Sequence, residues 1–158
     1  MTKVAWPWVS TVARLGLAVV WIVAGSLKVS DLAASGRAVN AYRLMPYDAA
    51  KVVGAVQPFL EIALGLLLLL GLAVRLSAGI SAVLLLVFVG GIVSAWARGL
   101  RIDCGCFSSG GELTGGQSTQ YAPELLRDAG FLALAAILLW RPSTRFSLDG
   151  LLLGERDE

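Results

Sequence analysis

Apolar residues along this chain gather into four runs separated by polar stretches of unequal length. The runs extend from Trp8 to Leu27, from Val52 to Val74, from Leu76 to Ala97 and from Glu124 to Trp140. A helix that crosses a bilayer needs about 20 predominantly apolar residues, since each advances the axis by about 1.5 Å through a core of about 30 Å. The pattern therefore predicts an all-α fold, a four-transmembrane-helix bundle that forms one integral membrane domain over residues 1–158. Trp6, Trp8, Trp96 and Trp140 lie near the ends of runs, where interfacial aromatics belong. Lys3 precedes the first run as it would in a signal peptide, but the length of that run and the three that follow make it a retained span. Runs two and three are separated only by a few residues around Arg75, which predicts a tight antiparallel hairpin.

Two connections are long enough to carry structure. Residues Lys28 to Lys51 mix Leu32, Val39, Tyr42 and Leu44 with Arg37, Asn40 and Arg43, the pattern of a short interfacial helix that closes at Met45-Pro46. Residues Arg98 to Pro123 hold Cys104-Gly105-Cys106 and then a Gly/Ser-rich stretch from Ser108 to Gly116, expected to be mobile because it has little to bury. The segment after Pro142 ends in Glu155-Arg156-Asp157-Glu158 and is expected in solvent. An even number of spans puts both termini on one side and both long connections on the other. Basic residues are nearly balanced between the two sides, and the positive-inside rule leans slightly against an external CxC. Disulfides persist outside the cytoplasm, which points to cytoplasmic termini and an extracytoplasmic CxC in a plasma or inner membrane.

Composition agrees with the pattern. Hydrophobic residues make up 57% and charged residues 15%, against roughly 45–50% and about 25% in soluble domains. The net charge of +2 and the lack of any basic run give no footing for nucleic acid. Without histidine, the commonest general base and the mixed Cys/His zinc sites are missing, and no resident metal is expected.

Polar residues inside the runs are costly and call for partners. Glu61 lies in the second run, three residues after Pro58 and one helical turn after Gln57. Arg14 lies in the first run and is the expected ion-pair partner of Glu61, either fixing helix register or serving a proton or quinone site. Lys28, at the end of its run, is expected to snorkel to the interface. Small residues (Gly16, Gly25, Ser26, Gly65, Gly71, Gly79, Gly90, Gly91) are placed to let helices approach closely.

Cys104 and Cys106 are the two cysteines of the sequence. Two thiols one residue apart suit three chemistries: thiol-disulfide exchange, soft-metal binding such as Cu(I), or a structural staple. Lack of His and scarcity of Met weaken the second, and the small gain from closing so short a loop weakens the third. Arg98 and Arg101 would favour a thiolate and Asp103 would oppose it. Phe107 would cover the sulfurs or offer a docking contact.

The ordered set Arg14-Leu15-Gly16, Ala24-Gly25-Ser26-Leu27-Lys28, Tyr42-Arg43-Leu44-Met45-Pro46 and Pro58-Phe59-Leu60-Glu61-Ile62-Ala63-Leu64-Gly65 resembles the DoxX-like membrane proteins. Asp103-Cys104-Gly105-Cys106-Phe107 narrows the resemblance to the methylamine utilisation protein MauE branch, with Ser108 standing where that branch has Gly. The resemblance spans Arg14 to Trp140. It implies a four-helix membrane bundle associated with maturation of a disulfide-rich client, the methylamine dehydrogenase small subunit, alongside a thioredoxin-like partner. The expected function is thiol-disulfide exchange by Cys104 and Cys106 with an extracytoplasmic thioredoxin-like protein. By analogy with other four-helix thiol oxidoreductases, a quinone near Glu61 and Arg14 is the expected cofactor. A non-enzymatic membrane scaffold, or a small transporter or metal-handling protein with Glu61 and Arg14 on its path, is the alternative.

Overall fold

The computed structural model describes residues 2–108, 110–142 and 144–152. Within them the chain runs α1 (Thr2–Val29), α2 (Leu32–Ala41), α3 (Tyr47–Leu70), α4 (Val74–Ala97), β1 (Ile102–Asp103), β2 (Gly111–Glu112), α5 (Tyr121–Trp140) and α6 (Leu148–Leu152). The acidic end of the chain, Glu155 to Glu158, lies outside the described residues.

Among the described residues, three helices are long and apolar enough to cross a membrane: residues Trp6–Val29 of α1, α3 and α4. The fourth predicted run is a helix of 20 residues, α5, but Glu124, Arg127 and Asp128 fall in its first two turns and set it apart from the other three. The outward faces are apolar: Val12 on α1, Val56 on α3, Val83 on α4 and Leu126 on α5 are all exposed. Aliphatic side chains exposed in such numbers suit a hydrocarbon solvent rather than water.

Helix α1 stands at the centre of the packing. It meets α3 along one side and α5 on another, while α4 packs against α5 and meets α3 only sparsely. The core between them is built from Ala13, Leu17, Trp21, Leu64, Leu68, Leu85 and Leu138. Trp21 donates its indole N–H to Ser81 Oγ at 2.8 Å, which satisfies the polar atom of the largest buried side chain. The α1–α3 crossing is close because Gly25 has no side chain: a Cβ there would lie 2.7 Å from the carbonyl oxygen of Pro58. Helix α2 crosses α3 in the same manner, Gly54 against the backbone of Gly36, where an added Cβ would come within 2.5 Å.

The α3–α4 turn falls earlier than the pattern predicts. Helix α3 ends at Leu70, not at Val74, and Arg75 belongs to the first turn of α4. Gly71 adopts the left-handed conformation (φ 69°), its N–H bonding Leu68 O and that of Leu72 bonding Leu67 O. This paired closure is favoured by a glycine just past a helix end. The turn is also held from the far end of the chain. Asp149 of α6 accepts from the N–H groups of Ala73 and Val74 at 2.8 and 2.9 Å, and its own N–H donates to Gly71 O at 3.0 Å. A carboxylate at the start of a helix both satisfies orphan donors and complements the helix dipole.

The first long connection does form a short helix, α2, capped by Asp31 through the N–H of Ala34 at 2.8 Å, although it ends at Ala41. The Gly/Ser-rich connection contains a short β ladder that its composition does not suggest. Its described part folds back through Gly105 and Gly110, both at positive φ, and pairs Ile102 with Glu112 and Asp103 with Gly111.

Candidate functional site

The β1–β2 ladder delivers the cysteines to the end of the bundle where α2, α4 and α5 converge. Ile102 donates its N–H to Tyr121 Oη at 3.2 Å, and Tyr42 donates its hydroxyl to the carbonyl of Cys104 at 3.1 Å. The loop is thereby pinned to both α5 and the segment after α2. Asp103 accepts from the N–H of Gly105 at 2.9 Å and from the hydroxyl of Ser108, so its carboxylate shapes the turn around the thiols. Both cysteines are free, and each is less than one-tenth exposed: Cys104 at 9% and Cys106 at 8%.

The two sulfurs are chemically unequal. Cys104 Sγ receives the backbone N–H of Cys106 at 3.4 Å and faces Arg127 Nη2 at 3.8 Å. The hydrogen bond from the Cys106 thiol lowers the pKa of Cys104 most; burial and the nearby Glu124 carboxylate oppose this, and the Cys106 N–H and Arg127 add to the lowering. Cys106 is pushed well above the ordinary thiol value, because its proton is held against Cys104 and because it is buried. Tyr42 is pushed up by burial and keeps its proton for the Cys104 carbonyl. Of the pair, Cys104 is therefore the sulfur more disposed to ionise and Cys106 the one more disposed to keep its proton.

Arg127 is held by its neighbours. Its Nε and Nη2 both reach Asp128 Oδ1 at 3.1 Å, and its guanidinium lies 4.9 Å over the Phe107 ring. Phe107 in turn meets Phe131 edge-on at 6.2 Å. The cations expected beside the thiols on sequence grounds are employed elsewhere. Arg98 binds the carbonyls of Ser94, Tyr42 and Arg43, and Arg101 binds those of Gly115 and Gln117. Arg127, Asp128 and Tyr121 were not singled out by the sequence, nor was Glu124 except as a boundary. The available signal was three charges at the start of an otherwise apolar helix, an expense that calls for a purpose.

Ligand atoms of Asp103, Cys104 and Glu124 lie within 4.8 Å of one another. The set mixes two hard oxygens with one soft sulfur, and the guanidinium of Arg127 already supplies positive charge to that sulfur. The arrangement suits a thiolate better than a metal ion.

Below the cysteines lies a second polar group. Lys28 Nζ pairs with Glu61 at 2.7 and 3.0 Å, Gln57 donates to the same carboxylate at 2.9 Å, and the Phe88 ring centroid is 5.9 Å from the ammonium. Lys28 is 8% exposed and Glu61 fully buried, so Lys28 does not snorkel. The expected Arg14–Glu61 pair does not form. Arg14 lies fourteen residues before Lys28 on α1, about 21 Å along the axis. It donates instead to Leu68 O (2.8 Å), Leu69 O (3.1 Å), Arg145 O (3.2 Å) and Phe146 O (3.3 Å). The carbonyls of the last turn of α3, which lack partners four residues on within the helix, attract a cation strongly enough to claim it. Of the four residues expected at the site, the structure brings Cys104, Cys106 and Glu61 to one end and leaves Arg14 at the other. A cavity of about 140 Å³ joins the two polar groups, with Cys104, Cys106, Tyr42, Lys28, Gln57 and Phe88 on its wall.

Three apolar helices long enough to span, with a buried dithiol at one end of the bundle, define a multi-pass helical membrane protein. Residues 6–141 match the family described as Methylamine utilisation protein MauE, and the chain belongs to that family. Searches of curated proteins and of solved structures found no match.

Proposed function

We propose that this protein is a membrane thiol-disulfide exchange protein whose partner is an extracytoplasmic thioredoxin-like protein, acting in the maturation of a disulfide-containing client. For the family, that client is the methylamine dehydrogenase small subunit. The observation that carries the reading is the inequality of the thiols, with Cys104 Sγ held by the Cys106 N–H and by Arg127. Exchange needs one sulfur as thiolate to attack and a second to resolve.

Partner thiolate attacks Cys104 in the Cys104–Cys106 disulfide, a mixed disulfide forms through Cys104, and Cys106 leaves and takes up a proton. The second partner thiol attacks the partner's own sulfur, releases Cys104 as thiolate and leaves the partner oxidised. Two electrons pass from the partner to the pair. The reverse direction runs through the same mixed disulfide, with Cys104 attacking. Glu124, whose Oε2 has no hydrogen-bond partner among the described residues, has a carboxylate oxygen within 4.8 Å of Cys104 Sγ and accepts the proton that the second partner thiol gives up as it attacks.

In this reading α5 is the fourth span. Its 20 residues reach about 30 Å, and its charges cluster at the end that carries the thiols. The termini then face the cytoplasm and the cysteines the opposite side, where disulfides persist.

Variants Cys106→Ser and Cys104→Ser provide the test. Cys106→Ser accumulates a mixed disulfide through Cys104 on non-reducing gels, Cys104→Ser does not, and both lose client oxidation. Unchanged client oxidation in both variants would overturn the exchange reading in favour of a scaffold.

A further inference from the structure

We propose that the cavity between α2, α3 and α4 binds a quinone dissolved in the bilayer, which takes the electrons of Cys104 and Cys106 from the lipid side. The inference rests on the exchange reading and adds the second substrate that such a cycle needs. With two cysteines in the sequence, electrons that enter the pair must leave from the same two sulfurs.

Several observations converge on the lipid side. Both cysteines are nearly closed to solvent, yet both line the cavity. Its outer wall includes Val53 of α3 and Val87 of α4, which are 42% and 62% exposed on helices apolar enough to span. Because α4 packs on α5 while α3 packs on α1 and α2, the two helices meet only sparsely, and the cavity lies between them with residues of both on its wall. Gln57 marks the depth of the cavity. It lies ten residues into α3, about 15 Å from the helix start, a position reached by a lipid-soluble molecule rather than a water-soluble one.

The lining also selects the chemistry. The wall is mostly apolar, with the Phe88 and Tyr42 rings on it, the Tyr42 ring laid against Gly91, and aromatic faces of this kind suit a flat ring. At its polar end are the ammonium of Lys28 and the amide of Gln57. Lys28 gives two of its three N–H bonds to Glu61, and Gln57 gives one of its two, so each retains a donor. Retained donors call for an acceptor such as a ring carbonyl. An apolar ring with carbonyl acceptors that can also take two electrons and two protons is a quinone. The redox step then balances: Cys104 and Cys106 form one S–S bond and give up two electrons and two protons, and the quinone becomes the quinol. Arg14, at the opposite end of the bundle, has no part in it.

The test uses the purified, reduced full-length protein in lipid nanodiscs under anaerobic conditions, with decylubiquinone as the probe. Its ring is fully substituted, so thiol addition does not mimic reduction. The expected result is one quinol per protein by ultraviolet absorbance, with loss of both free thiols and a Cys104–Cys106 disulfide by mass spectrometry. Val87→Trp, at an exposed position in the mouth, lowers the quinone rate at least tenfold relative to the same variant's rate with a water-soluble disulfide reagent. If the wild-type thiols react with the soluble disulfide but produce no quinol, the quinone site is wrong and the exchange reading stands. If quinol forms but Val87→Trp leaves that ratio unchanged, the lateral cavity is not the route. If neither oxidant reacts, the exchange reading falls as well.

Discussion

Removing one member of the Lys28–Glu61 pair should destabilise the protein far more than removing both. The pair is buried, with side-chain exposures of 8% and 0%, and its contacts of 2.7 and 3.0 Å leave the carboxylate no other cation among the described residues. Lys28→Met strands Glu61 with only the Gln57 amide, and Glu61→Leu strands the ammonium beneath Phe88. Leaving one buried charge uncompensated costs about 3–5 kcal/mol, whereas replacing both partners by apolar groups of similar volume is often neutral. The double variant Lys28→Met/Glu61→Leu should therefore be more stable than either single one. The cycle should give a coupling near the upper end of the roughly 0.5–3 kcal/mol seen for contacting residues. Reversible unfolding in mixed micelles, followed by circular dichroism, measures all four corners. The control is Arg14→Met with Glu61→Leu, which should add within about 0.5 kcal/mol because the two residues share no partner. Additive Lys28 and Glu61 effects, or a Lys28→Met cost within the roughly 0.5 kcal/mol typical of a surface position, would refute the buried pair.

The remaining predictions concern the thiols and the helix contacts. Because Cys104 is lowered, its thiolate fraction and its alkylation rate rise through a pH range below that of an ordinary thiol, while Cys106, raised, stays protonated and slow throughout it. Peptide-resolved iodoacetamide labelling across pH should show the two profiles separated in that order, and Cys106→Ala should shift the Cys104 profile toward alkaline pH. Asp149→Ala removes the cap from two N–H groups of the α4 start and should cost about 0.5–2 kcal/mol in the same unfolding assay. Gly54→Ala drives a methyl group to within 2.5 Å of the Gly36 backbone and should cost about 1–3 kcal/mol, while Gly90→Ala, with open space around it, should cost little.

What the sequence made legible and what it did not divide along physical lines. Long apolar runs reveal helices because length and hydropathy are local, and α1, α3 and α4 appear close to where the pattern puts them. The break at Gly71 was hidden because Leu66 to Val74 is almost uninterrupted apolar sequence, and only the left-handed conformation of one glycine ends the helix. Partner choice was the least legible. Arg14, Lys28 and Glu61 are all charges in apolar runs, and which two meet depends on helix depth and rotation. The short reach between Lys28 and Glu61, together with the carbonyls that capture Arg14, decides it. At the thiols the sequence offered nearby Arg98 and Arg101, whereas the guanidinium that faces Cys104 comes from position 127, after the chain has turned back. Asp103, read as an opponent of the thiolate, is occupied by Gly105 and Ser108.

The Arg14 contacts carry a consequence for how the chain is made. Ser10, Thr11 and Arg14 on the first helix find partners at Arg141, Arg145 and Phe146, more than 130 residues later. Synthesis proceeds from the N-terminus at about 5–20 residues per second, so α1 waits some seconds before those partners exist. During that interval its arginine has only the carbonyls of α3 to hold it. The chain is thus closed like a ring, its first helix fastened by residues 141–146, and that clasp can form only after the helices it closes over have been made.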